Sequence, residues 1–241
     1  MCICAVAGAE RGWKKEGDYL YYYDNNEVKV TGRQTIGGNI YYFTDAGILE
    51  GNGKIVYVSN YGRCYLGNDN KLITGWQTVD GNKYYFFPDT GIAASMNRWP
   101  YSSVLIEGYK YVFDDSDVLC INSWYNNYYG DKDGRIITGY CTIEEDKYLF
   151  DDEGYSLSGF QTINGQTHYF WHNNSGTGCE EALGWAAINT SLYYFDPDTG
   201  IMQALKRKID GTTYSFNNDG SLKYSKPLVY LVMADCGLAK K

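Results

Sequence analysis

The chain has 241 residues and a formal net charge of −8, and 17% of its residues are aromatic, including 26 tyrosines. The negative charge and the absence of a lysine- and arginine-rich run argue against a nucleic-acid or anionic-membrane partner. No apolar stretch approaches the roughly 18 residues that a membrane-spanning helix needs, so membrane insertion is not expected. The 28 glycines and 4 prolines are typical of many short strands joined by tight turns.

A repeat with a period of about 20 residues runs along the chain. Each copy contains an aromatic strand, such as KYYF at residues 83–86, and we use the last residue of that strand as its anchor. Two copies are longer than the rest, with extended connectors at residues 88–103 and 171–184. The anchors are Tyr23, Phe43, Leu66, Phe86, Phe113, Gly130, Phe150, Phe170, Phe195 and Phe216.

Each copy is predicted to be a β-hairpin, because its apolar residues alternate and its strands are separated by two-residue turns. A lone hairpin is marginal in water, so the copies are expected to be stabilised by stacking on one another. The predicted fold class is therefore all-β, a β-solenoid of about ten stacked β-hairpins, without helices of ten or more residues. The turns that supply the positive φ are Gly37-Gly38, Asp80-Gly81, Asn164-Gly165 and Asp210-Gly211.

The repeat pattern predicts three regions. Residues 1–11 form an N-terminal tail, and residues 12–225 form the hairpin-repeat solenoid. Residues 226–241 break the pattern and are predicted to be a C-terminal cap or a junction to another segment.

The units TGWQTVDGNKYYF at residues 74–86 and SGFQTINGQTHYF at residues 158–170 strongly resemble the cell-wall-binding, or choline-binding-like, repeat family. Within it, they are most similar to glucan-binding repeats and to the combined repetitive oligopeptides of large clostridial toxins. The resemblance covers about residues 12–225, and ten copies in series make it specific. It implies binding of carbohydrate or choline on cell walls or host surfaces, usually by a module of a larger surface protein, toxin or autolysin.

The resemblance also implies where ligands bind, which is between successive hairpins. The aromatic residue after the first glycine of a hairpin, the aromatic strand and the long units line such sites. We therefore expect the ligand-binding residues to be Trp76, Tyr85, Trp99, Tyr101, Trp171, Trp185 and Tyr194. Gln77 is added because a sugar site needs polar groups at the edge of its aromatic platform.

The residues that follow the first glycine of each hairpin favour carbohydrate over choline as the ligand. Choline requires a cage of electron-rich rings around its quaternary ammonium, whereas a sugar needs one aromatic platform with polar groups at its edge. In the sequence pattern this position holds tryptophan only at Trp13, Trp76 and Trp185.

Other reactive residue types are assigned structural roles. The acidic turn at residues 131–134, DKDG, is too short for a calcium-binding loop and lacks its distal glutamate, so its side chains are expected to cap turn amides. His168 and His172 flank a strand and are interpreted as repeat positions, with a metal or catalytic role as the alternative. The seven cysteines contain no CxxC pair and are expected to be mostly free or buried thiols, with one or two disulfides as the alternative.

The predicted function is a non-catalytic carbohydrate-binding repeat module that attaches a bacterial surface or secreted protein to cell-wall or host glycans. It would act outside the cell or at the bacterial cell surface, with no catalytic residue, metal or cofactor. Two alternatives remain open, namely a choline-binding module on teichoic acid and a structural or protein-interaction stalk.

Overall fold

The structure is a computed structural model that describes residues 11–58, 62–96, 103–173, 175 and 177–223. Those ranges contain short β-strands and no helix, as the sequence predicts, and hence no segment that could cross a membrane as a helix. The strands are β1 (Gly12–Glu16), β2 (Tyr19–Tyr23), β3 (Gly32–Ile36), β4 (Asn39–Phe43), β5 (Lys54–Val58), β6 (Gly62–Leu66), β7 (Leu72–Ile73), β8 (Gly75–Val79), β9 (Asn82–Phe86), β10 (Val104–Ile106), β11 (Tyr109–Tyr111), β12 (Ser123–Tyr125), β13 (Tyr128–Gly130), β14 (Gly139–Ile143), β15 (Asp146–Phe150), β16 (Gly159–Ile163), β17 (Gln166–Phe170), β18 (Gly184–Ile188), β19 (Ser191–Phe195), β20 (Lys206–Ile209) and β21 (Thr212–Ser215).

The strands of the described residues pair into ten hairpins, and β7 adds a third strand to the hairpin of β5 and β6. The least regular anchors, Leu66 and Gly130, end strands β6 and β13, so the two degenerate copies are hairpins like the others. The predicted number of hairpins is therefore confirmed.

The turns have the positive φ angles that the sequence predicts. In the turn between β8 and β9, φ is 50° at Asp80 and 80° at Gly81, and in the turn between β16 and β17 it is 51° at Asn164 and 77° at Gly165. Two central residues with positive φ define a primed turn, whose twist matches that of the paired strands. The aspartate-glycine and asparagine-glycine pairs thus position the two strands of these hairpins.

Among the described residues, eight connectors link their own hairpin to the preceding one through a backbone hydrogen bond. Anchor Phe195 forms a bridge with Met202 in its connector, and the Met202 backbone N–H donates to the Thr167 carbonyl, 2.8 Å away, in the hairpin before. The equivalent bonds join Leu49 to Leu20, Ala93 to Arg63, Leu119 to Lys83, Ile136 to Lys110, Ser156 to Asn127, Glu181 to Lys147 and Leu222 to Leu192.

The chain divides into two compact units. Within the described residues, unit 1 extends to Val104 and includes Phe113–Leu119, while unit 2 consists of Leu105–Val112 and the residues from Cys120 onward. Anchor phenylalanines form the interior of both units. The fully buried ones are Phe43, Phe86 and Phe113 in unit 1 and Phe170, Phe195 and Phe216 in unit 2. The ends of the three predicted regions lie largely outside the described residues, so that division stays a prediction.

Candidate functional site

The aromatic residue after the first glycine of a hairpin contacts rings from two hairpins. Trp185 of β18 pairs across its hairpin with Tyr194, with ring centroids 5.0 Å apart and an interplanar angle of 67°. Tyr214 of the next hairpin meets the same indole at 4.9 Å and 71°. Both contacts are edge-to-face, an arrangement that aromatic pairs prefer. The same three-ring cluster is formed by Trp13, Tyr22 and Tyr41, by Trp124, Tyr129 and Tyr148, and by Phe160, Tyr169 and Tyr193.

A recurring glutamine fixes the backbone at the start of the first strand. The Gln77 amide Nε2 donates to the Thr74 carbonyl over 3.1 Å, and Gln161 makes the same bond to Ser158 over 2.8 Å. The amide nitrogen of Gln77 therefore has a structural partner within its own repeat. Its assignment as a ligand-binding residue stays a prediction.

The structure brings the first predicted pair, Trp76 and Tyr85, into contact at a centroid distance of 5.0 Å. Tyr85 is only 8% exposed, so its ring offers little surface to a ligand. The Lys83 ammonium lies 4.8 Å from the centroid of the Trp76 ring, over its face. The cluster around Trp76 therefore differs from the one around Trp185 in having a lysine ammonium over its indole ring.

Trp171 belongs to a row of three rings in unit 2, of which the middle one, Tyr169, is half-buried. Its centroid lies 5.1 Å from that of Tyr169, which in turn lies 4.9 Å from Phe160. Trp171 is 38% exposed and Phe160 is 44% exposed, although both are large and apolar. We name Phe160, Tyr169 and Trp171 the aromatic ridge. It provides a hydrophobic platform on the surface of the hairpins.

The predicted residues near the first long connector, Trp99 and Tyr101, lie outside the described residues. The sequence pattern did not predict that Trp124 belongs to one of the three-ring clusters. Its hairpin has strands of three residues, and serine rather than glycine precedes the tryptophan. The pair Tyr128-Tyr129 just before the degenerate anchor was the signal that could have revealed it.

A buried carboxylate in the second long connector gathers polar groups from two hairpins. The Glu181 side chain is 1% exposed, and its Oε1 lies 2.5 Å from Nδ1 of His168. The Tyr140 hydroxyl donates to Glu181 Oε2 over 2.8 Å, and Nζ of Lys147 lies 4.0 Å from the same oxygen. Burial and the bond to the carboxylate raise the pKa of Tyr140. His168 lies in β17, as predicted, and these contacts give it a structural role.

In the acidic turns, an aspartate side chain accepts hydrogen bonds from backbone N–H groups of the same turn. Asp131 Oδ1 accepts the backbone N–H groups of Asp133 and Arg135, each at 2.8 Å, which confirms the predicted capping role. The described ranges contain no group of three or more histidine, cysteine or acidic side chains arranged for a metal ion. Of the described cysteines, Cys64, Cys120 and Cys179 are buried, as predicted, and Cys141 is half-buried.

Two family models match segments that contain these hairpins. The model described as choline-binding repeat matches residues 157–206, and the model described as putative cell wall binding repeat matches residues 74–92. Residues 157–206 are thus similar to choline-binding repeats, and residues 74–92 to cell wall binding repeats. The first segment includes the aromatic ridge and the pair Trp185 and Tyr194, and the second includes Trp76, Lys83 and Tyr85.

Curated relatives of these repeats are streptococcal enzymes. Glucosyltransferase-I of Streptococcus downei is 29% identical over 203 residues, which are 78% of this chain and 12% of the relative. Glucosyltransferase-S of the same species is 32% identical over 141 residues, which are 52% of this chain and 10% of the relative. The chain thus spans about a tenth of the length of the curated relatives it matches.

Solved structures with the same fold come from Streptococcus pneumoniae. CbpJ matches with a TM-score of 0.54 and 18% identity, over 88% of this chain and 94% of that one. Choline binding protein F, solved with a peptidoglycan analogue, matches with a TM-score of 0.54 and 19% identity, over 88% and 86%. At these identities the similarity concerns the fold alone, and it supports the all-β arrangement of hairpins.

Proposed function

We propose that the chain is a non-catalytic carbohydrate-binding repeat module. The observation that carries the proposal is the aromatic ridge, where Phe160 and Trp171 are exposed on either side of Tyr169. An exposed ring can stack on the apolar face of a sugar, which is how aromatic side chains combine a hydrophobic contact with a defined orientation. The ridge lies in the segment matched by the choline-binding repeat model.

Carbohydrate is preferred over choline because of how the rings touch one another. In the Trp185 cluster the centroids are about 5 Å apart and the rings meet edge to face, so neighbouring side chains occupy the space that a caged ammonium would need. The relatives are glucosyltransferases, which by their name transfer glucosyl groups. Both observations favour a neutral sugar stacked on an outer ring face.

The ten hairpins form a β-solenoid in this proposal, and repetition supplies the affinity. Support comes from the connector hydrogen bonds, which join successive hairpins within each unit. A platform of one or two rings binds weakly, but several platforms acting on a multivalent surface gain avidity. Residues 12–225 would therefore attach a bacterial surface or secreted protein to cell-wall or host glycans outside the cell. Trp76, Gln77, Tyr85, Trp185 and Tyr194 remain proposed contributors.

Replacing Trp171 with alanine tests the ridge. Loss of one stacking ring is expected to lower retention on immobilised dextran about five- to tenfold, since such a contact contributes about 1 kcal/mol. Tyr19→Ala is the matched control, because Tyr19 is also an exposed aromatic residue, at 54%, and lies outside the ridge. Equal retention of the wild type and both variants on dextran and on purified cell walls would refute the ridge as the binding surface.

A choline-binding module on teichoic acid is the second candidate, and the family description of residues 157–206 favours it. Elution of the bound chain from cell walls by free choline, with no elution by soluble dextran, would establish this alternative. A structural or protein-interaction stalk is the third possibility. A glycan array without binding, together with protein partners in a pull-down, would support the stalk.

A further inference from the structure

The Trp76 ring has a cation from its own hairpin over its face. Lys83 lies on β9, two residues before Tyr85, and pairs with Thr78 across the hairpin. Alternate residues of a strand share a face, so the lysine is on the same face as Tyr85 and Trp76. Its ammonium is 4.8 Å from the centroid of the indole, within the range of a cation–π contact. In the described part of the chain, no carboxylate lies within ion-pair distance of Lys83.

Equivalent positions of other hairpins lack this arrangement. The register places Leu20, Thr167 and Leu192 where Lys83 stands, beside Trp13, Phe160 and Trp185. Lys147 occupies the position in the hairpin of β14 and β15, but it donates to the Asp198 carbonyl over 2.9 Å and lies near buried Glu181. Among these five hairpins, a lysine at this position lies over the ring that follows the first glycine in the Trp76 hairpin alone. The Lys29 ammonium also lies over a ring, that of Tyr21, but it comes from the connector after β2.

We propose that Lys83 is a specificity-determining residue that closes the Trp76 cluster to cationic ligands. Its ammonium occupies the ring face that a quaternary ammonium would use, and its positive charge repels a second cation. This inference rests on the proposed binding function, because it assumes that aromatic clusters of these repeats meet ligands. Under it, the Trp76 repeat discriminates against choline and leaves neutral sugars as its ligand class.

The test follows the indole N–H signal of Trp76 by NMR in the full chain during titration with choline chloride. The signal is assigned from a Trp76→Phe sample. Lys83→Thr removes the charge and installs the residue found at position 167, which suits a strand. Lys83→Arg is the matched control because it keeps a cation over the ring. If Lys83→Thr fails to fold, Lys83→Gln is used instead, because it also removes the positive charge.

The expected result is a choline dissociation constant at the Trp76 signal at least tenfold lower in Lys83→Thr than in the wild type or in Lys83→Arg. The inference is overturned if choline shifts this signal equally in wild type and Lys83→Thr, or in neither of them. Retention on dextran is measured separately. If the wild-type chain is not retained on dextran, the proposed carbohydrate function is refuted. The choline titration alone decides the role of Lys83.

Discussion

At the scale of single residues, Glu181 shows how a connector of unusual length is held in place. Its carboxylate is buried and is contacted by a histidine, a tyrosine hydroxyl and a lysine. Gly200 packs against it so closely that a side chain there would collide with the carboxylate. A buried carboxylate needs such partners, because an unpaired one is strongly penalised.

Glu181→Gln is expected to destabilise the chain by about 1–3 kcal/mol, since the amide loses the charge that faces His168 and Lys147. The free energy of unfolding in urea measures the effect. Neighbouring Glu180 is exposed, so Glu180→Gln is the control and should change this free energy by less than about 0.5 kcal/mol. Equal effects of the two substitutions would show that the buried cluster does not contribute to stability.

At the scale of the element, the connector turn is organised by one aspartate. Asp151 Oδ1 accepts the backbone N–H groups of Glu153 at 3.0 Å and Tyr155 at 2.8 Å. The bonds shape the turn that leads to Ser156, whose N–H reaches the preceding hairpin. The capping side chain therefore acts on stacking as well as on the turn itself.

Asp151→Ala should lower the free energy of unfolding by about 1–2 kcal/mol, similar to the loss of a helix N-cap. The adjacent Asp152 has an exposed side chain, and only its backbone carbonyl is bound, by Lys110, so Asp152→Ala is the natural comparison. Thermal unfolding followed by circular dichroism distinguishes the two variants. A melting temperature unchanged by Asp151→Ala would contradict the capping role.

The sequence predicted the hairpins well because they depend on local chemistry. Alternating apolar residues, and turn pairs such as Asp80-Gly81, act within about ten residues of one another. It could not place the ammonium of Lys83 over Trp76, since that contact depends on the direction in which a flexible side chain turns. It also missed the partner of His168, because Glu181 is reached only after an irregular long connector.

At the scale of the whole molecule, the described residues form ten hairpins, and the chain divides into two compact units. The two strands of each hairpin pair with each other, and eight of these hairpins are linked through a connector to the one before. Stability in such an array is close to a sum of repeat energies and nearest-neighbour energies, so distant repeats are weakly coupled.

Thermal unfolding of the full chain is accordingly expected to depart from two-state behaviour. Differential scanning calorimetry should give a calorimetric enthalpy larger than the van't Hoff enthalpy, because blocks of hairpins melt separately. Equal enthalpies would indicate one cooperative unit and would contradict the nearest-neighbour description.

The connector hydrogen bond has a consequence for how such a chain can change in length. Because eight connectors bond to the equivalent backbone carbonyl of the preceding hairpin, the bond at these junctions does not depend on which side chains the two hairpins carry. A segment of about 20 residues can thus be duplicated or lost during gene recombination, and each remaining junction can re-form with its new neighbour. Aromatic platforms can then be gained, lost or altered one repeat at a time while the scaffold persists.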